Sequence, residues 1–254
     1  MYGHHRQTIE NLKACYEKAD DCLALIIIGS VARDEAGEGS DVDFYLVVNE
    51  QAYKDCLARN DECVDAHQYS VSPCTEANGY LISLPALKAM CDHGNEIERW
   101  MFTSALVVFS KEAEINRLVA DLPRYPEKDC TRRMEGFHSQ MHYHISFFEF
   151  AYLSQTKYLI YETATKLILS IGRLILADNR RLYPNRKWFF RELRKAPDKP
   201  AGVCEAMEAF LDAPTIEAGH QLIEMVENYK AYPLPPEGMK ARIAKESILN
   251  LEEW

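Results

Sequence analysis

The sequence has no excess of positive charge. Its 254 residues include 29 lysines and arginines against 39 aspartates and glutamates, which gives a formal net charge of −10. Proteins that hold nucleic acid or an anionic membrane through their overall charge are basic, so this balance disfavours both classes. The sequence also lacks the roughly 18 consecutive apolar residues of a membrane-spanning helix. Its first residues, MYGHHRQTIENLK, lack the apolar core of a signal peptide. These absences predict a cytoplasmic protein without a membrane partner.

Paired metal-binding motifs are absent as well. None of the eight cysteines forms a CxxC pair, and a chain of this length has enough core not to need disulfides. We interpret the cysteines as reduced thiols that mostly serve packing. His138, His142 and His144 lie in one predicted helix, but no HExxH motif or cysteine accompanies them. We therefore interpret these three histidines as ordinary helix residues and not as zinc ligands.

The acidic excess belongs to the first half of the chain. Residues 1–125 carry 21 acids and 11 bases, whereas residues 126–254 carry 18 of each. The composition changes at the same place, in LPRYPEKD (122–129), from short apolar runs between turn residues to long apolar-periodic stretches. We predict a domain boundary there, with one domain at 1–125 and a second at 126–254.

Each half has its own predicted secondary structure. Apolar runs and helical spacing predict an α/β first half and a helical second half. The predicted strands of the first half are 23–28, 41–48, two weaker ones near 66–71 and 79–84, and 106–109; its helices are 6–20, 53–57 and 112–122. The predicted helices of the second half are 130–153, 155–178, 186–195, 201–211, 215–230 and 237–252.

Two carboxylates begin the second predicted strand. Asp41 and Asp43 are two residues apart, so their side chains lie on the same face of a strand, opposite Val42 and Phe44. Two neighbouring negative charges are costly unless a cation lies between them. Hard oxygen ligands of this kind suit Mg²⁺, which commonly takes one or two carboxylates together with substrate phosphates. The pair is therefore a candidate metal site.

A Gly-Ser turn ends the first predicted strand. Gly29 permits a close approach of the backbone, and the N–H groups of a helix start at this point can bind a phosphate. The hydroxyl of Ser30 adds a hydrogen bond, and Ser40 either does the same or shapes the turn before the acidic pair. Each feature alone is common, but the order of apolar strand, Gly-Ser and SDVDFYLVV, with Asp41 twelve residues after Gly29, is specific.

This pattern resembles the DNA polymerase β-like nucleotidyltransferase superfamily, in which an hG[GS] turn precedes an h[DE]h[DE]h strand. In detail it is similar to the minimal and antibiotic-modifying branch, which includes kanamycin and lincosamide nucleotidyltransferases. The resemblance implies an α+β protein, with an N-terminal nucleotidyltransferase domain of mixed sheet and flanking helices followed by a C-terminal helical bundle. The specific match covers about 25 residues, and the domain layout agrees over the whole chain.

The resemblance also implies an activity. Gly29 and Ser30 would hold the triphosphate, and Asp41 and Asp43 the metal. The enzyme would move a nucleoside monophosphate from a nucleoside triphosphate, most simply ATP, to a hydroxyl of a small molecule and release pyrophosphate. The acidic first domain favours a cationic acceptor such as an aminoglycoside.

The sequence departs from the family pattern at a third carboxylate, which in the family lies on a later strand. The predicted strand 79–84, GYLISL, contains no acid. Asp65, with apolar neighbours in CVDAH, is the first substitute, and Glu76, expected in a turn, is the second. If neither serves, the base comes from elsewhere or the domain binds a nucleotide without efficient transfer.

A polar stripe marks the otherwise apolar helix 155–178. Tyr158, Glu162, Lys166 and Arg173 follow one another at helical spacing. Lys166 or Arg173 would meet phosphates and Glu162 the acceptor; alternatively, Glu162 and Lys166 form a ladder on an exposed edge of the bundle. Glu149 on the preceding helix is another acceptor-side base.

Residues 180–195 reverse the local charge, with seven bases against one acid. They would either clamp the triphosphate or form a solvated face that pairs with the acidic domain. Lys187, beside the bulky Trp188, is the base that we expect in the site. The segment 176–197 also resembles the helical domain attached to some bacterial nucleotidyltransferases.

Two further possibilities stay open. The protein is alternatively a regulatory or antitoxin-like nucleotidyltransferase that acts on a protein or an RNA end, or a pseudoenzyme that binds a nucleotide. Apolar faces in the last helices, with Ile223, Val226 and Tyr229 on one and Ile243, Ile248 and Leu251 near the other, either form a homodimer or pack within the bundle.

Overall fold

The structure is a computed structural model that describes residues 1–73 and 76–249. The chain divides into two compact units, Met1–Arg124 and Tyr125–Trp254. Within the described residues, we find no helix with the combined length and apolar character that crossing a lipid bilayer requires.

A five-stranded mixed sheet forms the centre of the first unit, in the order β3-β4-β2-β1-β5. β2 and β4 are parallel, and the other neighbouring strands are antiparallel. The strands are β1 (Cys22–Ile28), β2 (Val42–Val48), β3 (Cys63–Asp65), β4 (Ala77–Ser83) and β5 (Leu106–Ser110).

The burial of the central strands follows from their sequences. β1, CLALIII, is apolar along its whole length and is covered on both faces. In β2, Val42, Phe44 and Leu46 enter one core layer with Leu25 and Ile27, whereas Val47 enters the opposite layer with Ile26. Asp43 therefore lies near the start of β2, on the face that carries the buried Val47.

Helices flank the sheet on both sides. They are α1 (Gly3–Tyr16), α2 (Gly29–Ala32), α3 (Glu50–Arg59), α4 (Leu84–His93), α5 (Glu96–Met101) and α6 (Ala113–Asp121). α4 begins where the Ser83 hydroxyl accepts the backbone N–H of Ala86, and α5 begins with a capping box between Asn95 and Glu98. Our sequence analysis missed both helices, although these start signals are present in the sequence.

The second unit is helical. It contains α7 (Cys130–Leu153), α8 (Lys157–Asp178), α9 (Phe189–Arg194), α10 (Val203–Asp212), α11 (Ile216–Tyr229) and α12 (Met239–Leu249). α8 is buried on most of its circumference, as its composition predicted. Gly172 on this helix leaves room for the ring of Phe189, which a side chain there would meet.

The structure confirms the predicted α+β class and corrects one strand. The segment 66–71 is not a strand: β3 ends at Asp65, and a 3-10 turn follows at His67–Tyr69. Asp65 bonds to the backbone N–H and the ring of His67, and this local bonding favours a turn over a strand.

The cysteines and the last helices agree with packing roles. The seven cysteines within the described part of the chain have free thiols. Ile223 and Val226, which the sequence offered to a dimer or to the bundle, are buried in the bundle core. Leu251, and the side chain of Ile248, lie outside the described residues.

Candidate active site

The turn after β1 brings Gly29 against Asp43. Gly29 has φ +74°, in the left-handed region that glycine adopts most easily. A Cβ at this position would lie 2.5 Å from Oδ2 of Asp43. Both the backbone conformation and the neighbouring carboxylate therefore require glycine, and the two residues of the predicted motif lie in direct contact.

Strand register aligns polar residues across the sheet beside Asp43. Asp43 is paired with Ile28 on β1 and with Asn78 on β4, and Asn78 is paired with Asp65 on β3. Directly paired residues share a face of the sheet. Because neighbouring strands lie about 4.8 Å apart, Asp65 is two strand spacings, roughly 10 Å, from Asp43.

Glu76 lies nearer to the acidic pair than Asp65 does. It directly precedes β4, and its carbonyl accepts the backbone N–H of Val42 at 3.0 Å. Its Oε2 accepts the side-chain amide of Asn78 at 2.7 Å, which places it on the same face as Asn78 and Asp43. Since Val42 pairs with Ala77, continuing the register by one residue sets Asp41 opposite Glu76. The register thus places Asp41, Asp43 and Glu76 on one face of the sheet, at the start of two adjacent parallel strands.

The sequence pattern favours Asp65 over Glu76 because the predicted strand starts two residues after the first residue of β4. The predicted strand 79–84 left Glu76 in a turn, whereas β4 begins at Ala77. Ala77 is fully buried and Gly79 allows the ring of Phe44 to approach, so this weakly apolar segment becomes a strand through its packing on β2. Only that register reveals the position of Glu76.

Asp65 has a local partner at the edge of the sheet. Its Oδ1 accepts the backbone N–H of His67 at 3.1 Å and lies 2.9 Å from Nδ1 of the same residue. The hydrogen bonds from the His67 side chain and backbone lower the pKa of Asp65, which therefore stays ionised. Asp65 is exposed and is tied to the turn that follows its strand.

α1 fixes the loop that leads to Asp41. The ring Nε2 of the buried His5 donates to the carbonyl of Ser40 at 3.0 Å, and His4 donates to the carbonyl of Glu38 at 2.7 Å. The Ser40 hydroxyl accepts the backbone N–H of Gly37 at 2.9 Å, which shapes the turn within this loop. Burial lowers the pKa of His5, so the ring is neutral at physiological pH.

Arg33 directly follows α2 and anchors the end of the Gly-Ser turn through its side-chain contacts. Its guanidinium lies over the ring of Trp100 at 4.2 Å, and its Nε donates to Glu35 at 3.0 Å. The side chain of Arg33 is 7% exposed. A buried cation stacked on an aromatic ring is a firm anchor. Sequence reasoning missed this contact because Trp100 is 67 residues away and belongs to a helix that it did not predict.

In the second unit, the predicted residues of α8 form two separate groups. Lys166 Nζ and Glu162 Oε1 are 2.7 Å apart, and each side chain is about one third exposed. The two residues therefore form the ion pair along the helix that the sequence offered as the alternative to a role in the site. Burial, and next to it the charge of Lys166, lowers the pKa of the neighbouring His144 to about 4. Glu149, the other acceptor-side candidate, pairs with His220.

Arg173 and Lys187 both lie over aromatic rings. The Arg173 guanidinium is 4.3 Å from the ring of Phe137 and 5.2 Å from that of Tyr183. Lys187 Nζ is 5.5 Å from the ring of Trp188, and Lys187 is exposed. Trp188 therefore neighbours the ammonium group, as the sequence analysis expected, whereas the aromatic contacts of Arg173 favour packing.

Much of the basic segment is neutralised within the second unit. Four of its seven bases form ion pairs with acids of the same unit: Arg180 with Glu127, Arg181 and Lys195 with Glu192, and Arg194 with Glu208. These pairs fix the segment to the bundle through its own acids.

The sequence of the first unit matches a known domain family. The sequence profile of the nucleotidyltransferase domain family matches residues 9–84, which include β1, the Gly-Ser turn, β2 and β4. No curated protein matches the chain in sequence.

Two solved structures are similar to the chain. A nucleotidyltransferase-like protein from Exiguobacterium sibiricum is 12% identical with a TM-score of 0.51, over 97% of this chain and 88% of that one. At this identity the likeness shows the fold. Spectinomycin adenyltransferase AAD(9) from Enterococcus faecialis, solved with ATP and spectinomycin, is 16% identical with a TM-score of 0.35, over 94% of this chain and 96% of that one.

The match over residues 9–84 contains Gly29, Ser30, Asp41 and Asp43, the residues of the two patterns. It confirms the prediction from the hG[GS] and h[DE]h[DE]h patterns. Residues 9–84 therefore form a nucleotidyltransferase domain.

Proposed function

We propose that the protein transfers a nucleoside monophosphate from a nucleoside triphosphate to a hydroxyl group of a small molecule in a Mg²⁺-dependent reaction. The observation that carries this proposal is the strand register, which aligns Asp41, Asp43 and Glu76 on one face beside the Gly29 turn. A phosphate-binding turn in contact with a metal-binding carboxylate is what the reaction needs, because metal and triphosphate must be held together.

Asp41 and Asp43 are assigned to the metal ion. Their carboxylate oxygens are hard ligands, and the half-buried position of both residues makes them costly neighbours without a cation. When bound, Mg²⁺ neutralises charge on the phosphates and on the departing pyrophosphate.

Glu76 is assigned to the acceptor hydroxyl. In the transfer, the hydroxyl oxygen forms a bond to the α-phosphorus, and the bond from that phosphorus to the bridging oxygen breaks, which releases pyrophosphate. The Glu76 carboxylate takes the proton that the hydroxyl loses. The Asn78 amide, bonded to Oε2, holds this carboxylate in place. Asp65 remains the alternative base, at a greater distance from Asp43.

Gly29 and Ser30 are assigned to the triphosphate. The first peptide N–H groups of a helical turn have no preceding carbonyl to bond, and the positive φ of Gly29 starts such a turn here. Ser40, whose hydroxyl is bonded to Gly37, is assigned to the shape of the loop and through it to the nucleotide site.

The second unit is assigned the remaining groups. For this unit we keep the sequence-based predictions that Lys166, Arg173 and Lys187 are phosphate-binding groups and that Glu162 is an acceptor-side group. The exposure of Lys187 supports its role most directly, whereas Arg173 first serves the packing of Phe137 and Tyr183.

Calorimetry tests the proposal. The full chain is titrated with ATP, GTP, CTP and UTP in turn, with Mg²⁺ and with a chelator in its place. We expect Mg²⁺-dependent binding of at least one nucleotide, and its loss in the Asp41→Ala, Asp43→Ala double variant. Absence of binding for all four nucleotides would refute the assignment.

Pyrophosphate release then tests transfer. Aminoglycosides and lincosamides are supplied as hydroxyl acceptors with the nucleotide that binds. We expect release that depends on the acceptor and disappears in Glu76→Gln, with Asp65→Asn as the matched control. Binding without release for any hydroxylated acceptor would favour a nucleotide-binding protein over a transferase.

A further inference from the structure

A cluster of two histidines and one glutamate joins α7 to α11 in the second unit. His138 and His142 are one helical turn apart on α7, and Glu227 is on α11. Nε2 of His138 is 2.7 Å from Oε1 of Glu227, and Nε2 of His142 is 2.9 Å from the same oxygen. The ligand atoms of all three residues lie within 4.8 Å of one another. Two ring nitrogens therefore converge on one carboxylate.

The hydrogen bonds of His138 indicate that a cation belongs between these groups. Nδ1 of His138 is 3.1 Å from the carbonyl of Pro233, which can only accept, so this nitrogen carries the hydrogen. A neutral imidazole has a single N–H, and Nε2 then presents its lone pair. That lone pair faces a carboxylate oxygen, which is also an acceptor. A proton on the ring or a metal ion between the two atoms would resolve the conflict.

The surroundings match the support that a metal-bound histidine usually has. A ligating histidine commonly donates its other ring N–H to a carbonyl or carboxylate, which fixes the tautomer and orients the ring. His138 has such a partner in Pro233, and the residue is only 3% exposed. The hydrogen bond to Pro233 thus fixes the orientation of this imidazole, with Nε2 directed to Glu227.

We propose that His138, His142 and Glu227 form a binding site for a divalent transition-metal ion of the Zn²⁺ class, distinct from the carboxylates of the first unit. Two imidazoles and one carboxylate are a known zinc ligand set, and three protein ligands leave one coordination position for water. His142 and Glu227 have side-chain exposures of 35% and 36%, so an ion has access from solvent.

The two histidine–glutamate separations need only a small adjustment to accept an ion. Ligand atoms about 2.0–2.1 Å from a tetrahedral zinc ion lie roughly 3.3 Å from one another. The observed separations of 2.7 and 2.9 Å must therefore widen by roughly half an ångström. Glu227, which is partly exposed, can make this movement without disturbing the buried His138.

This proposal departs from the interpretation of His138 and His142 as ordinary helix residues. The third candidate ligand, Glu227, follows His142 by 85 residues, so sequence spacing does not place it beside the pair. Only the packing of α11 beside α7 brings the third ligand to the pair.

Zn²⁺ binding to the full chain tests the proposal. Protein without an affinity tag is treated with a chelator, exchanged into buffer with excess Mg²⁺, and titrated with ZnCl₂ by calorimetry. We expect a Zn²⁺ ion bound per chain and a higher melting temperature in its presence. Because the loss of an outer-shell partner alone weakens metal binding by about 10–100-fold, His142→Ala and Glu227→Gln should each weaken it by at least that factor.

Matched variants identify the site. His220 and Glu149 form a histidine–carboxylate pair between the same two helices but without a second histidine, so His220→Ala should leave Zn²⁺ affinity unchanged. The Asp41→Ala, Asp43→Ala variant should also retain it, which separates this site from the Mg²⁺ site.

Cobalt substitution reports the ligands, since a nitrogen and oxygen site gives visible d–d bands without a thiolate charge-transfer band. No Zn²⁺ binding, or equal binding in His142→Ala and Glu227→Gln, would overturn the proposal. Absence of binding would identify the cluster as an ion pair held by a proton.

Discussion

Replacing Gly29 by alanine tests whether the Gly-Ser turn and Asp43 act as one unit. The added Cβ meets two separate obstacles. The first is the backbone, because φ at this residue is +74°. The second is the Asp43 carboxylate, whose Oδ2 would lie 2.5 Å from the new atom. The two obstacles should affect different properties of the protein.

The backbone obstacle should appear as a loss of stability. A residue with a Cβ in the left-handed region costs about 1–2 kcal/mol. The carboxylate obstacle should appear as a loss of function instead. Oδ2 has to move by 0.9 Å to reach an ordinary contact of 3.4 Å, and a side-chain rotation of Asp43 accomplishes this at little cost. A misplacement of about 1 Å at a reacting centre can lower the rate by about 100-fold.

A double-mutant cycle separates the two effects. Gly29→Ala is made in the wild type and in Asp43→Ala, where Oδ2 is gone and the Cβ of residue 43 remains 3.3 Å away. Urea unfolding gives the free energy of unfolding, and calorimetry gives the affinity for Mg²⁺-nucleotide. Gly39→Ala, in the same connection before Asp41, is the control, since its Cβ would lie 3.9 Å from the nearest atom outside its immediate neighbours.

We expect Gly29→Ala to lower the free energy of unfolding by about 1–2 kcal/mol in both backgrounds. In the wild-type background it should also weaken Mg²⁺-nucleotide binding by more than about tenfold, or about 1.4 kcal/mol. Unchanged nucleotide binding in Gly29→Ala would refute the coupling between the turn and the carboxylate. A functional loss shared by Gly39→Ala would trace the effect to the loop as a whole.

Three further changes test other parts of the molecule. Glu76→Gln should lower pyrophosphate release by about 10²–10⁴-fold while Mg²⁺-nucleotide binding persists; an equal loss in Asp65→Asn would contradict the assignment of the base. Gly172→Ala places a Cβ 2.1 Å from the ring of Phe189, and should cost about 1–3 kcal/mol in urea unfolding. Burial lowers the pKa of His144 to about 4, below its unfolded value of 6.5. The unfolded chain therefore binds this proton more strongly, and up to about 3 kcal/mol of stability should be lost as the pH falls from about 6.5 to about 4. His144→Gln should flatten the pH dependence of urea unfolding in that window.

The parts of the site that could be predicted are local in sequence. The apolar run of β1, the turn at Gly29 and the alternation from Asp41 to Val48 each depend on neighbours a few residues apart. Their meeting follows from the antiparallel pairing of two consecutive strands, which needs no distant information. The motif therefore predicted the fold of this segment.

The parts that could not be predicted depend on register and on distant packing. β4 has a weak pattern of its own and becomes a strand because Phe44 and Gly79 pack together. A shift of two residues in its start decides whether Glu76 belongs to a turn or to the acidic cluster. The contact of Trp100 with Arg33 depends on distant packing as well. The sequence does not predict it because the helix that carries Trp100 has caps but little apolar periodicity.

The two candidate metal sites described above differ in how far the sequence predicts them. Asp41 and Asp43 are two residues apart in a predicted strand, so their spacing alone predicts that their side chains are close together. His138 and His142 also share a helix face, but two imidazoles one turn apart are common, and their meaning depends on Glu227. A ligand set divided between two helices is recognised by the donors and acceptors that meet there. The carbonyl behind His138 is therefore the most informative contact, because it fixes which nitrogen is left to hold a cation.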